Sequence, residues 1–529
     1  MSDRSEPGSD AADRIAALTS GRLLARNAVW TLLCQVAPMA VAIATIPPLI
    51  RGLGTDRFGV LTLAWMVLGY CSLFDLGLGR ALTKLIAERL GEGRERDVPD
   101  LIWTGLALMT ALGLAGAAAV GLLAPWIVGE VLRVPEGLRG ETLTAFRLLA
   151  VALPFVIGTA GLRGVMEAHQ RFAAINAAKS AFGVITLLGP LLVLPICPQL
   201  GPVVGVLASA RVASWAVHAA ICLRTVTGLG GGSVRRELIR PLIGFGGWMT
   251  VANVVNPLMV QMDRFLIGAL VSTSAIAFYT TPHELVTKFW LVSGSVVGVI
   301  FPAFATSYAR DRPRASLIFG RGLKAVFLIL LPMTLGAVAL APEILGLWLG
   351  GDFADRGTWV MRWLAVGVLL NGLAMVSSAL LQGAGRPDLV AALHLIELPL
   401  YLLAAWIVIP AWGITGAAIV WAGRTALDLA LFSVAARRVL PGISGAQRRL
   451  VIALAAVAPV LAAAALLPGT AVRAMFLLSS SCGYVILTWC VALDAEERLF
   501  LIGMMARFRP ATARGAGAPA RGAVELSAQ

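Results

Sequence analysis

Five ionisable residues stand inside apolar sequence that should exclude them. Asp263, Arg264, His283, Glu284 and Lys288 fall within two hydrophobic stretches, 242–270 and 275–307, joined by the turn Ser272-Thr273-Ser274. A charge held in lipid costs at least about 2.5–3.5 kcal/mol, so such groups face a protein interior or a wet cavity. Asp263 lies nine positions before Ser272 and Glu284 twelve after it. At about 1.5 Å rise per residue both sit roughly 13–18 Å from the turn, at similar depth on neighbouring antiparallel helices. Glu284 and Lys288 are also i,i+4 partners. Such a set either neutralises itself as a structural cluster or lines a transport cavity. Two more arginines favour the cavity. Arg211 and Arg424 each lie roughly nine to eleven residues into a span; Asp428 can pair Arg424 at i,i+4, whereas Arg211 has no acid at that spacing. Arg147 and Arg362 sit only about one turn inside a span, where snorkelling to the interface competes with a place in the cavity.

The elements that carry these residues are membrane spans. The chain has 529 residues, is 58% hydrophobic and only 14% charged, with a mean hydropathy of +0.84. Soluble chains carry about 25% charge, so this is an all-α integral membrane protein with no room for a water-exposed catalytic domain. Residues 1–20 are polar and contain no cleavable apolar segment. Fourteen apolar runs read as helices: 27–50, 58–79, 101–127, 143–166, 173–197, 202–222, 242–270, 275–307, 323–349, 358–381, 389–410, 413–435, 450–467 and 474–493. Six cysteines lack a CxxC pair and read as small buried hydrophobes; with four histidines in the whole chain, no metal site is expected.

Charge sets the orientation. Thirty of the 43 Lys and Arg fall in 1–26, 80–96, 167–179, 224–240, 310–324, 382–388, 437–449 and 494–529; six fall in the alternate loops and seven within spans. That asymmetry places both termini in the cytoplasm. It also accounts for the net charge of +14, which faces anionic lipid head groups and leaves no case for nucleic acid. The outer loops are all short, which disfavours a membrane glycan polymerase. Asp75 lies near the cytoplasmic end of its span, where pairing with Arg80 or Lys84 would gate that face or anchor it at the interface.

The chain repeats itself. Phe146-Arg147-Leu148-Leu149-Ala150-Val151 matches Met361-Arg362-Trp363-Leu364-Ala365-Val366 at an offset of 215, and Arg171 matches Arg386 at the same offset. Arg211 and Arg224 match Arg424 and Arg437 at an offset of 213. Six spans per copy return the chain to the same side, so the repeats are parallel. The expected layout is a cytoplasmic tail (1–22), a first six-helix bundle (23–224), a linker (225–240), a second six-helix bundle (241–437), two accessory helices (438–493) and a disordered cytoplasmic tail (494–529). Two parallel halves enclose a cleft, for which alternating access is the natural mechanism.

Several stretches carry a family resemblance. Arg26–Trp30 with Ile46-Pro47-Pro48-Leu49-Ile50-Arg51-Gly52-Leu53-Gly54-Thr55-Asp56-Arg57-Phe58-Gly59 resembles the opening of oligosaccharide flippases, the polysaccharide-biosynthesis transporters of the multidrug/oligosaccharidyl-lipid/polysaccharide exporter superfamily. Leu73-Phe74-Asp75-Leu76-Gly77-Leu78-Gly79-Arg80, Met262-Asp263-Arg264-Phe265-Leu266-Ile267-Gly268 and His394-Leu395-Ile396-Glu397-Leu398-Pro399-Leu400-Tyr401 are similarly typical. The likeness spans about residues 22–493 in order and spacing. It implies twelve to fourteen helices and a polyprenyl-diphosphate-linked glycan, such as an O-antigen, capsule or exopolysaccharide repeat unit, flipped across a bacterial inner membrane. It implies no enzyme activity, cofactor or metal. The lipid-linked glycan and membrane lipids are the partners, with a glycan polymerase and export machinery beside them. On this reading Arg211, Arg424, Arg264, Lys288, Arg147 and Arg362 bind the anionic substrate, arginine offering a bidentate fork to phosphate. Asp263, Glu284, Asp75, Arg80 and Glu397 serve coupling or gating. Span 27–50 lacks the charge pair expected of peptidoglycan-precursor flippases, which argues against lipid II. A cation-coupled drug antiporter of the same superfamily is the competing transporter, and the core arginines argue against it.

Overall fold

A computed structural model of the chain describes residues 21–71, 77–92, 94–169, 171–226, 228–243, 259, 262–489 and 498. The described residues contain helices and turns and no strand, as lipid requires: a helix satisfies its backbone groups within itself. In the first half these are α1 (Gly21–Cys71), α2 (Leu78–Gly91), α3 (Val98–Trp126), α4 (Arg139–Ala168), α5 (Phe172–Val193) and α6 (Leu200–Thr225). The second half has helical residues 262–270, then α7 (Thr273–Val286), α8 (Trp290–Arg310), α9 (Arg312–Ala339), α10 (Ala341–Leu349), α11 (Gly351–Gly383) and α12 (Pro387–Val439). Helices α13 (Ser444–Leu466) and α14 (Thr470–Leu487) follow. Nine helices among the described residues are long and apolar enough to cross a membrane.

Two of these elements are too long for one crossing. At 51 and 53 residues, α1 and α12 would extend about 75–80 Å if straight, against a hydrocarbon core of about 30 Å. Each leaves helical geometry at a glycine with positive φ, Gly54 (77°) and Gly413 (57°). A side chain there would be strained, so glycine marks the place where each chain segment turns. Other expected single spans are interrupted. The 275–307 stretch divides into α7 and α8 around a 3-10 turn, Thr287–Phe289, five residues after Pro282. The 323–349 stretch divides at Leu340, where Pro342 opens α10. Proline removes a backbone donor and crowds the preceding turn.

The apolar core has a wedge layout. One buried cluster joins the halves: Ile46–Leu68 and Leu200–Leu207 pack with Ile267, Ala275–Tyr279, Leu345 and Val360–Val368. The other two clusters lie to either side, one inside residues 78–242, with Leu242 beyond the linker, and the other inside 304–450, taking in the start of α13. Direct contacts between halves lie at the joined end. Thr273 Oγ1 donates to Asp56 Oδ1 at 3.4 Å, Arg133 N to the Gly268 carbonyl at 3.0 Å, and Trp348 Nε1 to the Ile43 carbonyl at 2.7 Å. Gly59 lies so close that a Cβ on it would fall 1.8 Å from the Thr273 carbonyl oxygen.

The stretch between the halves is anchored to the first. Ser233 N and the Arg235 guanidinium both bond the Asp100 carboxylate, at 2.7 and 2.6 Å, and Trp103 Nε1 donates to the Leu229 carbonyl at 2.7 Å. The pair α13–α14 packs on α9, with the Tyr484 hydroxyl donating to the Leu328 carbonyl. None of α14 is buried, and Met475 and Leu478 are about 70% exposed. Apolar surface of that kind is stable against lipid tails. Cys222 is buried and Cys482 is exposed on α14, where a thiol meets lipid; both are free.

Candidate functional site

The antiparallel register read from Ser272 brings the charged residues together. Arg264, only 4% exposed, places Nη2 at 3.0 Å from His283 Nδ1 and donates to Glu284 Oε1 at 3.1 Å. Lys288, on the 3-10 turn, holds the other Glu284 oxygen at 3.2 Å. Glu284 and Lys288 are each 42% exposed, so this end of the cluster opens out of the bundle. Asp263 turns the other way: it accepts the Arg264 backbone N–H at 2.8 Å and a short hydrogen bond from the Tyr279 hydroxyl. The ring of His283 stacks near Tyr279 and meets the edge of buried Trp421, which also touches Trp290. Gly367 makes room for that indole, since a Cβ there would fall 2.4 Å from it.

A second cluster lies along α12. Arg424 donates to Asp428 Oδ2 at 3.1 Å and covers the ring of Tyr401 at 5.7 Å. His394 Nδ1 lies 3.3 Å from Glu397 Oε2 and 3.6 Å from Asp428 Oδ1. The three side chains bring ligand atoms within 4.8 Å of one another, a spacing that can hold a cation or a shared proton. Glu397 Oε1 and Asp428 Oδ1 are buried without a hydrogen-bond donor among the described residues. The Arg424–Asp428 pair follows from sequence spacing. His394, Tyr279 and Tyr401 went unassigned, because their partners lie on other turns or other helices; the i,i+3 spacing of His394 and Glu397 was the one available signal.

The remaining candidates are scattered. Arg211 is part-buried on α6, and its Nε has no hydrogen-bond partner among the described residues. It lies eleven residues past Leu200, as Arg424 lies eleven past Gly413. The two are therefore at like depth, about 16 Å along their helices. Arg362 is buried against the joined end: it donates to the Val338 carbonyl at 3.1 Å and packs on Trp359 at 4.8 Å. Its counterpart Arg147 is exposed. Arg80 is exposed, and Asp75, its expected partner, lies outside the described residues; Lys84 pairs with Glu88 at 3.5 Å.

The two charged clusters and Arg211 share one level of the fold. Phe289, beside Lys288, packs against both the joined core and the second-half core. On α12, Trp421 belongs to the joined core and Leu429 to the second-half core, with Arg424 and Asp428 between them. On α6, Leu207 belongs to the joined core and Cys222 to the first-half core, and Arg211 lies between. A polar layer thus sits where the shared core divides.

Comparison with known proteins fixes the family. Residues 24–307 match the family described as polysaccharide biosynthesis protein. The chain belongs to that family. It is 29% identical to a putative O-antigen transporter of Shigella flexneri over 406 residues, 77% of this chain and 96% of the relative. It is 25% identical to the succinoglycan biosynthesis transport protein ExoT of Rhizobium meliloti (strain 1021) over 360 residues, 66% of each chain. Its fold matches the lipid II flippase MurJ in an inward closed conformation, with a TM-score of 0.62 at 11% identity, over 85% of this chain and 99% of that one. It matches equally an inward-facing multidrug resistance MATE transporter of the MOP superfamily, with a TM-score of 0.62 at 15% identity, over 79% and 99%. This polysaccharide biosynthesis protein therefore has a membrane-transporter fold, all-helical and multi-pass.

Proposed function

We propose that this protein flips a polyprenyl-diphosphate-linked oligosaccharide from the cytoplasmic to the outer leaflet of a bacterial inner membrane. The observation that carries the reading is the polar layer at the fork of the core. Charged groups at that depth are costly against lipid, and Glu284 and Lys288 are half-exposed there. In this reading they face the cleft between the halves, and Arg211, Arg424, Arg264 and Lys288 receive the anionic diphosphate or an acidic glycan while the polyprenyl tail stays in lipid. Asp263, Glu284 and Glu397 balance that charge and couple transport to a proton or cation. The names of the two relatives support a glycan cargo.

The layout read from the sequence belongs to the same proposal: fourteen spans in two parallel six-helix bundles, 23–224 and 241–437, with two accessory helices and both termini cytoplasmic. With that orientation the fork opens to the cytoplasm and the joined core closes the outer side, the loading state of an alternating-access cycle. The test is reconstitution in proteoliposomes with a fluorescent, reductant-quenchable lipid-linked oligosaccharide. Wild-type protein is expected to speed the appearance of quenchable label, and Arg211→Ala/Arg424→Ala to abolish that gain at equal protein content. Arg211→Lys keeps part, since its charge survives and its planar fork does not. A rate no faster than protein-free vesicles would overturn the flippase reading; full activity of the double variant would overturn only the cationic route.

A further inference from the structure

Helices α9 and α13 enclose a cleft of about 620 Å³ whose lining includes none of the polar-layer residues. Its walls touch where Gly320 faces Ala446 and Gly442 faces Ser316; between them Gly445 looks into open space, with no atom within 4 Å of where its Cβ would be. Arg321, Lys324 and Arg449 line the middle of the cleft, with Pro313, Ser316 and Gly442 on one side of them and Phe327, Leu328 and Ala453 on the other. The basic residues belong to segments 310–324 and 437–449, which hold nine Lys and Arg against the single acid Asp311. Asp311 is already engaged, capping α9 through the Arg314 N–H at 2.9 Å. These segments lie on the face that the charge distribution assigns to the cytoplasm. Going along α9 from Arg321 to Leu328 the lining changes from cationic to apolar within about 10 Å, in the order that a membrane lipid presents its phosphate and its acyl chains.

We propose that this cleft binds an anionic phospholipid of the cytoplasmic leaflet, its phosphate held by Arg321, Lys324 and Arg449 and its chains laid against Phe327, Leu328 and Ala453. The volume is that of an ordinary small-molecule site. Arg321 and Lys324 have interactions of their own, yet guanidinium and ammonium groups carry five and three donors, enough to serve a phosphate as well. Such a lipid would tie the accessory pair to the second half. The inference rests on the membrane placement of α9 and α13 and not on what the protein transports, so it stands or falls apart from the flippase reading.

The experiment is native mass spectrometry of the full-length protein in mild detergent, titrated with phosphatidylglycerol, phosphatidylcholine and undecaprenyl diphosphate. Phosphatidylglycerol is expected to bind far better than phosphatidylcholine. Arg321→Gln/Lys324→Gln/Arg449→Gln should weaken it on the order of a hundredfold, about fivefold per basic residue. Gly445→Leu fills the cleft with every charge retained and should also lose the lipid, which keeps the test sound if the triple variant is unstable. Equal binding of both phospholipids, or retention by Gly445→Leu, overturns the site. Preference for undecaprenyl diphosphate would assign the cleft to substrate and overturn the phospholipid. Binding that appears only after Asp494, Glu496 and Glu497 are changed to Gln would make the chain's own carboxylates the occupant, and would overturn the phospholipid equally.

Discussion

Arg264 is the residue on which the first cluster turns. It is enclosed, and one nitrogen serves both His283 and Glu284. Replacing it with Met leaves Glu284 held by half-exposed Lys288 alone and strands the Asp263 side. With Glu284 half-exposed the cost falls between the ~0.2–1 kcal/mol of an exposed pair and the ~3–5 kcal/mol of a fully buried one, so Arg264→Met should lower stability in detergent by about 1–3 kcal/mol. Adding Glu284→Gln should recover part of it; strictly additive losses in the double-mutant cycle would show that the pair is uncoupled. Along α12, Arg424→Ala leaves Asp428 and Glu397 close together with no permanent cation, so it should cost more than Arg211→Ala, which strands no carboxylate among the described residues. A melting series in which Arg211→Ala is the more damaging would contradict this ranking. The i,i+4 pairs and the common depth of Asp263 and Glu284 were readable from spacing, because helical rise is fixed. The tyrosine on Asp263 and the His394–Asp428 approach were not, because they depend on how helices face one another.

At the scale of the element, glycine positions set how closely helices approach. Gly367→Ala drives a methyl into Trp421 and should cost about 1–3 kcal/mol as overpacking, read as a lower melting temperature with export retained. Gly59→Val acts between the halves. It collides with the Thr273 carbonyl and should hold the joined end apart. A cysteine pair at Asp56 and Thr273 is expected to cross-link in the parent and to lose that cross-link in Gly59→Val; unchanged cross-linking would show that the contact is not maintained by Gly59. The break between the first two spans, 27–50 and 58–79, was legible in the sequence, and the chain turns there at Gly54. The fracture of 275–307 at Thr287–Phe289 was not, since Pro282 alone does not say whether a membrane helix bends or breaks.

For the whole molecule, the distribution of Lys and Arg makes a direct prediction. Reporter fusions at Gly231 and Gly445 should report cytoplasm, and those at Gly137 and Gly351 the outside. One reversed loop would break both the span count and the parallel repeat. Orientation is legible in sequence because it is a matter of counting charges. The division of the core into one joined and two separate clusters is not, since every span is apolar and only packing tells which neighbours it meets.

The close approach of Gly59 to Thr273 also has a mechanical meaning. In the proposed alternating-access cycle it would serve as the fulcrum, with the helices beneath it as lever arms. For arms of about 40 Å, each degree of rocking moves the far ends by about 0.7 Å, so a swing of about 15° separates them by roughly 10 Å. A sugar chain passes such a gap with no helix unwinding. Because residues 229–235 are pinned to α3 through Asp100 and Trp103, the slack for that swing has to come from the chain after Arg235. Shortening that stretch would limit the stroke of the machine while leaving its cargo site intact.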